Sequence, residues 1–278
     1  MDISAIDFNT LLPMFFLLAS LGCLAGFLAG LLGIGGGTVL VPGFFYIFSS
    51  LGYDSPYIMH VAVATGLSVI IATGRSASYA HYKRGSVDKS AFMILAPALV
   101  VGVVIGTVLS KGIESQHLQI FFAVALFLMG VRMLRGAKPH EVDKTFKPSP
   151  LMFGAGGIIG TISSLMGIGG AAMNVPLMVT NGVTMQRAVG TAAALGLAVA
   201  IPGAIGYIFV GGTVDAALPP FSLGFVNMLG WIAVIPFTVI CAPFGVALAH
   251  KLNARSLRKL FAVFMMGLAL NMAAEVWL

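Results

Sequence analysis

The chain alternates long apolar stretches with short polar segments, and this pattern predicts its elements. A helix needs about 20 apolar residues to cross the roughly 30 Å hydrocarbon core of a bilayer. Ten apolar stretches are present, near residues 11–32, 38–50, 60–82, 90–110, 117–134, 151–166, 171–181, 188–210, 222–249 and 257–277. Two of them, 38–50 and 171–181, reach only about 20 Å or less as helices. Because each follows a glycine cluster, we expect two short, broken helices there.

The composition places these stretches in a membrane. Apolar residues make up 59% of the chain and charged residues 9%, whereas a soluble domain carries roughly a quarter charged residues. Disorder and a disulfide-stapled secreted fold are excluded as well, because apolar content is high and the two cysteines, Cys23 and Cys241, lie far apart in apolar runs. They predict neither a metal nor a redox site. We expect an all-α polytopic membrane protein.

The basic residues predict which loops face the cytoplasm. The net charge is +6, but the basic residues are not clustered on one soluble face, so nucleic-acid binding is not expected. If all ten stretches cross, one side receives thirteen of the 15 basic residues: Lys83, Arg84, Lys89, Arg132, Arg135, Lys138, Lys144, Lys147, Arg187, Lys251, Arg255, Arg258 and Lys259. This side is predicted to be cytoplasmic, with both termini extracytoplasmic. A re-entrant hairpin at either short element stays open.

The two halves of the chain repeat each other. Residues 22–42 placed over 156–176 give nine identities in 21 positions. The matches include Gly33-Ile34-Gly35-Gly36 over Gly167-Ile168-Gly169-Gly170. These segments and the two residues after each, residues 33–38 and 167–172, are called the first and second hinge. Identities of this number, in order, indicate a duplication.

The repeat continues beyond the hinges at other offsets. A second set of identities, in the same order in both halves, includes Pro97 over Pro236. Between the two sets, Thr65 pairs with Thr191. Asp88 precedes a predicted helix, is expected to start it, and is paired with Asp215. Changes of offset require loops of unequal length, which membrane proteins tolerate as other proteins do.

The number of elements per half predicts inverted repeats. Each half contains five elements, so the second copy must enter the membrane from the opposite side. We expect residues 1–135 to form the first repeat, 136–150 a cytoplasmic linker and 151–278 the second, inverted repeat. Inverted repeats with broken helices are typical of secondary transporters, whose sites lie at the membrane midplane. Duplication as a mere folding convenience is the alternative.

The hinge glycines predict a site for a small anion. Glycine can leave the helical region, and a break frees backbone N–H groups at the positive end of the next helix. Such a break survives in lipid only inside protein or beside water, so both hinges should face the centre. The candidate residues are Gly35, Gly36, Gly37, Gly169 and Gly170. Four other glycines are better explained by close helix packing: Gly22, Gly26, Gly156 and Gly160.

The chain resembles the sulfite exporter TauE/SafE family of membrane transporters. The paired Gly-Ile-Gly-Gly hinges, each followed by Val-Pro, the Thr65 and Thr191 segments and the half-chain repeat carry the resemblance, which covers nearly the whole chain. It implies transport of sulfite, sulfonates or related organosulfonates across the bacterial inner membrane. The sequence departs from the family where Gly66 and Ala192 follow the threonines in place of the common Ser. The second hinge also departs, because it reads Gly-Gly-Ala.

Several polar residues within the spans are candidate ligands for an oxyanion. Arg75 is the one basic residue inside a predicted span, and it either contacts the anion or snorkels toward the cytoplasmic headgroups. Hydroxyl and amide groups near the hinges are candidate donors, although Ser and Thr in membrane helices often bond to preceding carbonyls. These candidates are Thr38, Thr65, Ser68, Asn174 and Thr191. His60 and Asp54 are expected in a solvated outer loop, with proton carriage as the alternative.

The favoured function is a secondary transporter that works by alternating access. An anion channel of the same fold needs the same donors and stays open as an alternative. A membrane-embedded hydrolase is disfavoured because Ser68 has no base predicted within reach, so no enzyme is expected. We expect a small anion and the bilayer as partners and no cofactor. The sequence leaves open the coupling ion, a proton or sodium, the direction of flux and the oligomeric state.

Overall fold

A computed structural model of the chain describes residues 8–32, 36–53, 55–135, 146, 149–249 and 254–276. These residues form ten α-helices and one short antiparallel hairpin. The first five helices are α1 (Phe8–Leu32), α2 (Gly37–Ser50), α3 (Ile58–Lys83), α4 (Lys89–Ser110) and α5 (Ser115–Arg135). The second five are α6 (Pro150–Met166), α7 (Ala171–Thr180), α8 (Met185–Gly211), α9 (Met228–Ala249) and α10 (Ala254–Ala274). The hairpin strands are β1 (Ser222–Leu223) and β2 (Val226–Asn227).

The helices have the length and surface of membrane spans. Within the described residues, six helices are long and apolar enough to cross a bilayer: α1, α3, α4, α5, α8 and α9. Large apolar side chains such as Phe16, Val108 and Phe209 are exposed on the outer faces. Water disfavours an apolar surface of this extent, whereas lipid tails accommodate it. The protein is an all-α polytopic membrane protein, as the composition predicts.

The two short elements are helices, as predicted. At 1.5 Å per residue, the 14 residues of α2 extend about 21 Å and the 10 residues of α7 about 15 Å. Neither is long enough to span the hydrocarbon core alone. Gly167, with φ of 65°, ends α6, and Gly170, with φ of 70°, precedes α7. Both angles lie in the left-handed region, which glycine enters without steric cost.

One predicted boundary is wrong. The apolar stretch near 222–249 does not begin as a helix, because residues 222–227 form the hairpin and α9 starts only at Met228. Phe221 has φ of 62° and Gly224 φ of 53°, which break any helix there. A Cβ on Gly224 would also collide with the backbone of Ile208 in α8. The hairpin therefore lies tightly against the end of α8.

The sequence repeat relates the packed helix pairs to one another, because a pair of helices and the pair of their equivalents both pack together. α1 packs along α9, and the equivalent α6 packs along α4. α2 packs on α3 as α7 packs on α8. α4 also packs on α8, as the equivalent α9 packs on α3. Two further pairs join equivalent helices, α3 with α8 and α5 with α10. The three-dimensional packing therefore carries the duplication read from the sequence.

Glycines allow the helix backbones to approach closely at the matched crossings, as predicted for Gly26 and Gly160. A Cβ on Gly26 would collide with the backbone of Thr238, and one on Gly160 with the carbonyl of Leu99. Thr238 and Leu99 are equivalent under the offset that aligns Pro236 with Pro97. The closest backbone approaches of these glycines in the α1–α9 and α4–α6 pairs thus lie at corresponding positions of the repeat.

Candidate functional site

The two hinges meet in the interior of the protein. A Cβ on Gly37, the first residue of α2, would lie 2.7 Å from the carbonyl oxygen of Gly167 and 3.0 Å from the Cα of Ile168. Ile70 of α3 touches both hinges, since its side chain lies beside Gly37 and Gly169. Only glycine at position 37 permits this approach of two backbones. Gly35 lies outside the described residues.

The start of α7, at the second hinge, has backbone N–H groups without partners. No side chain caps α7 or α2. The N–H groups of Met173 and Asn174 donate to the carbonyl of Gly170 at 3.1 and 2.9 Å. The N–H groups of Ala171 and Ala172 have no hydrogen-bond partner within the described ranges. Such first-turn donors, at the positive end of a helix, favour an anion.

Three buried side chains at the hinges hold unpartnered polar atoms. Both amide atoms of Asn174, the hydroxyl of Ser163 and the hydroxyl of Thr38 make no hydrogen bond to any described residue. Asn174 and Ser163 are fully buried, and Thr38 is 2% exposed. A buried polar group without a partner costs about 1–3 kcal/mol. Their concentration at the hinges makes this region the candidate site for a polar ligand.

Ser163 and Asn174 converge on Gly170. A Cβ at Gly170 would lie 2.9 Å from the Ser163 Oγ and 3.0 Å from the Asn174 Nδ2. Asn174 is a predicted site residue, whereas the sequence analysis missed Ser163. Its signal is a Ser163-Ser164 pair near the end of the otherwise apolar α6, one turn before the hinge. The glycine leaves open the space that these two side chains border.

The two predicted threonines hold equivalent positions in the two halves. Thr65 Oγ1 accepts a hydrogen bond from the backbone N–H of Asn227 at 3.0 Å. Thr191 Oγ1 accepts one from the N–H of Asp88 at 2.8 Å and donates to the carbonyl of Arg187 at 2.6 Å. The threonine oxygens therefore join α3 to the start of α9 and α8 to the start of α4.

Asp88 and Asn227 are the matching helix caps. Asp88 Oδ1 accepts from the N–H of Ala91 at 3.0 Å, and Asn227 Oδ1 accepts from the N–H of Gly230 at 2.7 Å. The predicted cap role of Asp88 is confirmed, but its pairing with Asp215 is wrong. Asp215 is exposed in the loop after α8, because the chain forms the hairpin before α9 begins. The offset of Pro97 and Pro236, continued backward, aligns Asp88 with Asn227.

A single ion pair distinguishes the Asp88 end from the Asn227 end. Arg187 Nη2 lies 2.9 Å from Asp88 Oδ2, and the Asp88 side chain is 2% exposed. Asn227 is neutral, and the residue of α3 equivalent to Arg187 is Val61. Both ends therefore have a hydrogen bond between a threonine hydroxyl and a backbone N–H, which we call a tie. Among the described residues, only the Asp88 end has an ion pair as well.

Two further candidates lie away from the hinges' polar groups. Ser68 Oγ donates to the carbonyl of Ala64 at 3.0 Å, and the Ser68 carbonyl accepts from Trp231 Nε1 at 2.9 Å. Arg75 is exposed on α3, beyond the segment that contacts the hinges. The structure thus brings together Gly36, Gly37, Thr38, Gly169, Gly170 and Asn174. Ser68 lies on α3 between the hinge contacts Val63 and Ile70, with its hydroxyl bonded within α3, and Arg75 lies beyond them.

His60 does not lie in a solvated loop, so that expectation is wrong. It belongs to the first turn of α3 and is fully buried. The loop before α3 is short and the hairpin covers this end, with Phe225 packed 5.2 Å from the imidazole ring. Asp54, its predicted neighbour, lies outside the described residues.

The two cysteines are neighbours in space. Cys23 and Cys241 line one apolar groove between α1 and α9. Their separation in the sequence hides this contact, which follows from the close α1–α9 crossing. Four phenylalanine side chains make up much of its lining, and the groove faces outward.

This arrangement defines a polytopic membrane protein with two broken-helix hinges that meet beside buried polar side chains, a construction typical of transporters. A family model described as Sulfite exporter TauE/SafE matches residues 18–272. The chain belongs to this family, and the resemblance inferred from the hinges is confirmed. The protein is therefore a membrane transport protein by family.

The relatives cover nearly the whole chain. A protein of Haemophilus influenzae named "Probable membrane transporter protein" is 32% identical over 252 residues, which cover 90% of this chain and 95% of that one. The "Probable membrane transporter protein YunE" of Bacillus subtilis is 25% identical over 261 residues, covering 87% and 91%. No solved structure matches the chain significantly.

Proposed function

We propose that this protein is a secondary transporter of small sulfur-containing anions, such as sulfite, sulfonates or related organosulfonates, across the bacterial inner membrane. The observation that carries the proposal is the meeting of the hinges at Gly37 and Gly167, beside the unpartnered polar atoms of Thr38, Ser163 and Asn174. The family and the names of the relatives support transport as the general activity.

The chemistry of the pocket suits an oxyanion. The hydroxyls of Thr38 and Ser163 and the amide NH₂ of Asn174 are donors, and the free N–H groups of Ala171 and Ala172 add two more. Sulfite and sulfonate present three oxygens on one face of sulfur, each an acceptor. The donors are neutral, so the site would hold the anion by hydrogen bonds and helix dipoles. Such a site releases the anion more easily than a site with a positively charged side chain does.

The duplicated ties supply a basis for alternating access between two inverted repeats, residues 1–135 and 151–278. In this proposal, the Thr191–Asp88 tie closes one entrance to the hinges and the Thr65–Asn227 tie closes the other. In this proposal the Asp88 end, with the basic loops, faces the cytoplasm, and the hairpin end, with both termini, faces the outside, as the excess of basic residues on one side favours. Opening one tie while the other holds exposes the pocket to one side at a time.

The ligands of the proposed site differ from the first candidate list. We assign anion contact to Gly36, Gly37, Thr38, Gly169, Gly170 and Asn174, and we add Ser163. Thr65 and Thr191 act in the ties, because their hydroxyl oxygens already accept backbone hydrogen bonds. Ser68 supports α3 and α9, and Arg75 acts at the membrane surface.

Flux of labelled sulfite into vesicles that contain the purified protein tests the proposal. Wild type should show saturable flux, and Gly170→Leu should abolish it, because the new side chain fills the space beside Ser163 and Asn174. Gly154→Leu is the matched control in the same helical hairpin, since a Cβ at Gly154 meets nothing within 4 Å. Equal flux in both variants at equal protein levels would contradict the site. Ion currents at channel rates would favour the channel.

A further inference from the structure

The C-terminal end of α3 carries an exposed stripe of basic and tyrosine side chains. Arg75, Tyr79 and Lys83 recur at intervals of four residues, so they lie on one face of the helix. All three side chains are exposed. Lys83 Nζ lies 4.8 Å from the centroid of the Tyr79 ring, which places the ammonium group over the aromatic face. We call these three residues the basic stripe, and the exposed residues Tyr82 and Arg84 flank it.

The second repeat has an apolar stripe at the equivalent positions. The offset of Thr65 and Thr191 aligns the basic stripe with Ile201, Ile205 and Phe209 of α8. These three side chains are exposed as well, and large apolar side chains exposed on a spanning helix face lipid tails. The basic stripe occupies the same outer face of the equivalent helix. It therefore also faces the bilayer, but with side chains suited to a charged partner.

The length of α3 sets the depth of the basic stripe in the bilayer. Its 26 residues extend about 39 Å, which exceeds the roughly 30 Å hydrocarbon core. With Ile58 at one boundary of the core, the other boundary lies near Ser78. Tyr79 is then at the boundary, Arg75 about 5 Å below it and Lys83 about 8 Å above it. Long basic side chains extend toward the headgroups, so both charges reach the level of the lipid phosphates.

The described carboxylates do not neutralise the basic stripe. Of the two ion pairs found within the described ranges, neither includes a residue of the stripe. At this end of the molecule the described carboxylate is that of Asp88, which is 2% exposed and faces Arg187. Three other described carboxylates follow α4, α8 and α10, at the opposite end: Glu114, Asp215 and Glu275. Lys89, exposed at the start of α4, adds a positive charge near the stripe. The end of α3 therefore presents an excess of positive charge to the membrane surface.

We propose that the basic stripe binds the headgroup of an anionic phospholipid. Arginine presents paired N–H donors that match a phosphate, the tyrosine hydroxyl is a further donor and lysine contributes a positive charge. Basic sites of this kind at a membrane surface bind anionic headgroups. Because Arg75 is attached to the helix below the boundary, a lipid reaches it without leaving the bilayer, whereas a free anion in water meets the headgroups first. The position of the stripe therefore favours a lipid, at a site separate from the hinges.

The second repeat supplies the matched replacement for the test. Arg75→Ile introduces the side chain of the equivalent Ile201 at an exposed position, so the fold should be kept. Lys83→Gln and Tyr79→Phe remove the other two headgroup contacts singly. Arg132→Gln is the control, because Arg132 is exposed in the last turn of α5 and lies at the same end of the molecule. It removes the same charge from the same membrane surface, outside the stripe.

Native mass spectrometry of the purified protein with equal amounts of phosphatidylglycerol and phosphatidylcholine tests the site. Wild type and Arg132→Gln should retain phosphatidylglycerol in preference to phosphatidylcholine. Arg75→Ile and Lys83→Gln should each bind phosphatidylglycerol about fivefold more weakly, the ratio expected for one basic side chain near an anionic lipid. Phosphatidylglycerol should also raise the melting temperature of wild type and of Arg132→Gln more than that of Arg75→Ile. Inorganic phosphate should not reproduce this rise.

Four results would contradict the proposal. Equal retention of the two lipids by wild type would show no preference for an anionic headgroup. Equal losses in Arg75→Ile and Arg132→Gln would indicate a general attraction to the membrane surface in place of a site. A rise in melting temperature with inorganic phosphate as large as that with phosphatidylglycerol would identify a free anion as the ligand. Cross-linking between copies through Tyr79→Cys, above the level of wild type, would show that a second copy covers the stripe. Should Arg75→Ile fail to fold, the lysine and tyrosine variants carry the same comparison.

Discussion

Gly37 of α2 lies against the carbonyl of Gly167, so that the first residue of α2 touches the glycine that ends α6 in the other half of the chain. This contact brings the two hinges together. The proposed site therefore takes residues from both halves of the chain. The duplication therefore has a chemical consequence, because the two copies supply different side chains to a shared place.

Gly37→Ala tests the contact directly. The added Cβ would lie 2.7 Å from the Gly167 oxygen and 3.0 Å from the Ile168 Cα, both backbone atoms that cannot rotate away. We expect a loss of about 1–3 kcal/mol in the free energy of unfolding, together with slower flux. Thermal unfolding in detergent and vesicle flux measure the two effects.

Gly154→Ala and Gly267→Ala are the controls for this substitution, because a Cβ at either position meets nothing within 4 Å. Both glycines lie inside helices, where alanine is favoured by about 1 kcal/mol. Unchanged or higher stability is expected for both. A Gly37→Ala protein as stable and as active as these controls would show that the hinges do not need their close approach.

Asn174→Leu should separate binding from stability. The equivalent residue of the first repeat is Leu40, which is fully buried, so leucine fits this position of the fold. Replacing an unpartnered buried amide by an apolar side chain is neutral or stabilising. We therefore expect an equal or higher melting temperature and a loss of sulfite flux. A large drop in melting temperature would instead indicate that the amide has a structural partner.

Ser163→Ala makes a milder test of the same pocket. A hydrogen bond to a charged ligand contributes about 1.5–3 kcal/mol, which corresponds to roughly a 10–100-fold change in Kd. We expect sulfite affinity to fall within this range while the fold is kept, since alanine stands at the equivalent Ala29. Ser164→Ala, whose hydroxyl is already bonded to the Thr161 carbonyl, is the control. Equal affinity in both variants would remove Ser163 from the site.

The sequence predicted the helices, the duplication and much of the hinge region because those features depend on local patterns. Stretches of apolar residues and glycine clusters are read along the chain, and Asn174 and Thr38 stand out as polar residues beside a hinge. Ser163 was missed because a serine inside an apolar helix is usually bonded to a preceding carbonyl, as Ser164 is. Only the folded chain turns it toward Gly170.

Features that depend on long-range packing escaped the sequence. The burial of His60 requires the hairpin, which forms where Phe221 and Gly224 take positive φ angles. The loop before α9 is longer than the loop before α4, so the sequence alignment matched Asp88 to Asp215 through a local Val-Asp pair. The structure shows Asn227 at the position equivalent to Asp88. The contact of Cys23 with Cys241 likewise follows from the crossing of α1 with α9.

The ion pair at the Asp88 end predicts a strong coupling. Arg187→Gln leaves the buried Asp88 carboxylate without its cation, and breaking such a pair costs up to about 3–5 kcal/mol; Arg187 is 39% exposed, so the lower part of that range is expected. Asp88→Asn keeps the helix cap, as Asn227 does at the other end. The double variant should recover most of the stability lost in Arg187→Gln, measured by thermal unfolding. Additive losses would contradict the coupling.

Thr191→Val and Thr65→Val should weaken opposite entrances. Each removes one hydroxyl acceptor at nearly constant volume and should cost about 1 kcal/mol. Cysteine probes placed at the hinges should then label faster from the Asp88 end in Thr191→Val and from the hairpin end in Thr65→Val. Thr180→Val, at an exposed hydroxyl bonded within α7, should change neither rate. The same labelling side in both threonine variants would contradict the assignment of one tie to each entrance.

Equilibrium binding of labelled sulfite to the purified protein is the most direct test of a single shared site. Thr38 comes from the first hinge region and Asn174 from the second, so Thr38→Ala and Asn174→Leu alter opposite walls. We expect one ion per chain in wild type, weaker binding in each variant, and a double variant whose loss is smaller than the sum. Binding of two ions per chain, or independent losses from the two variants, would contradict the account.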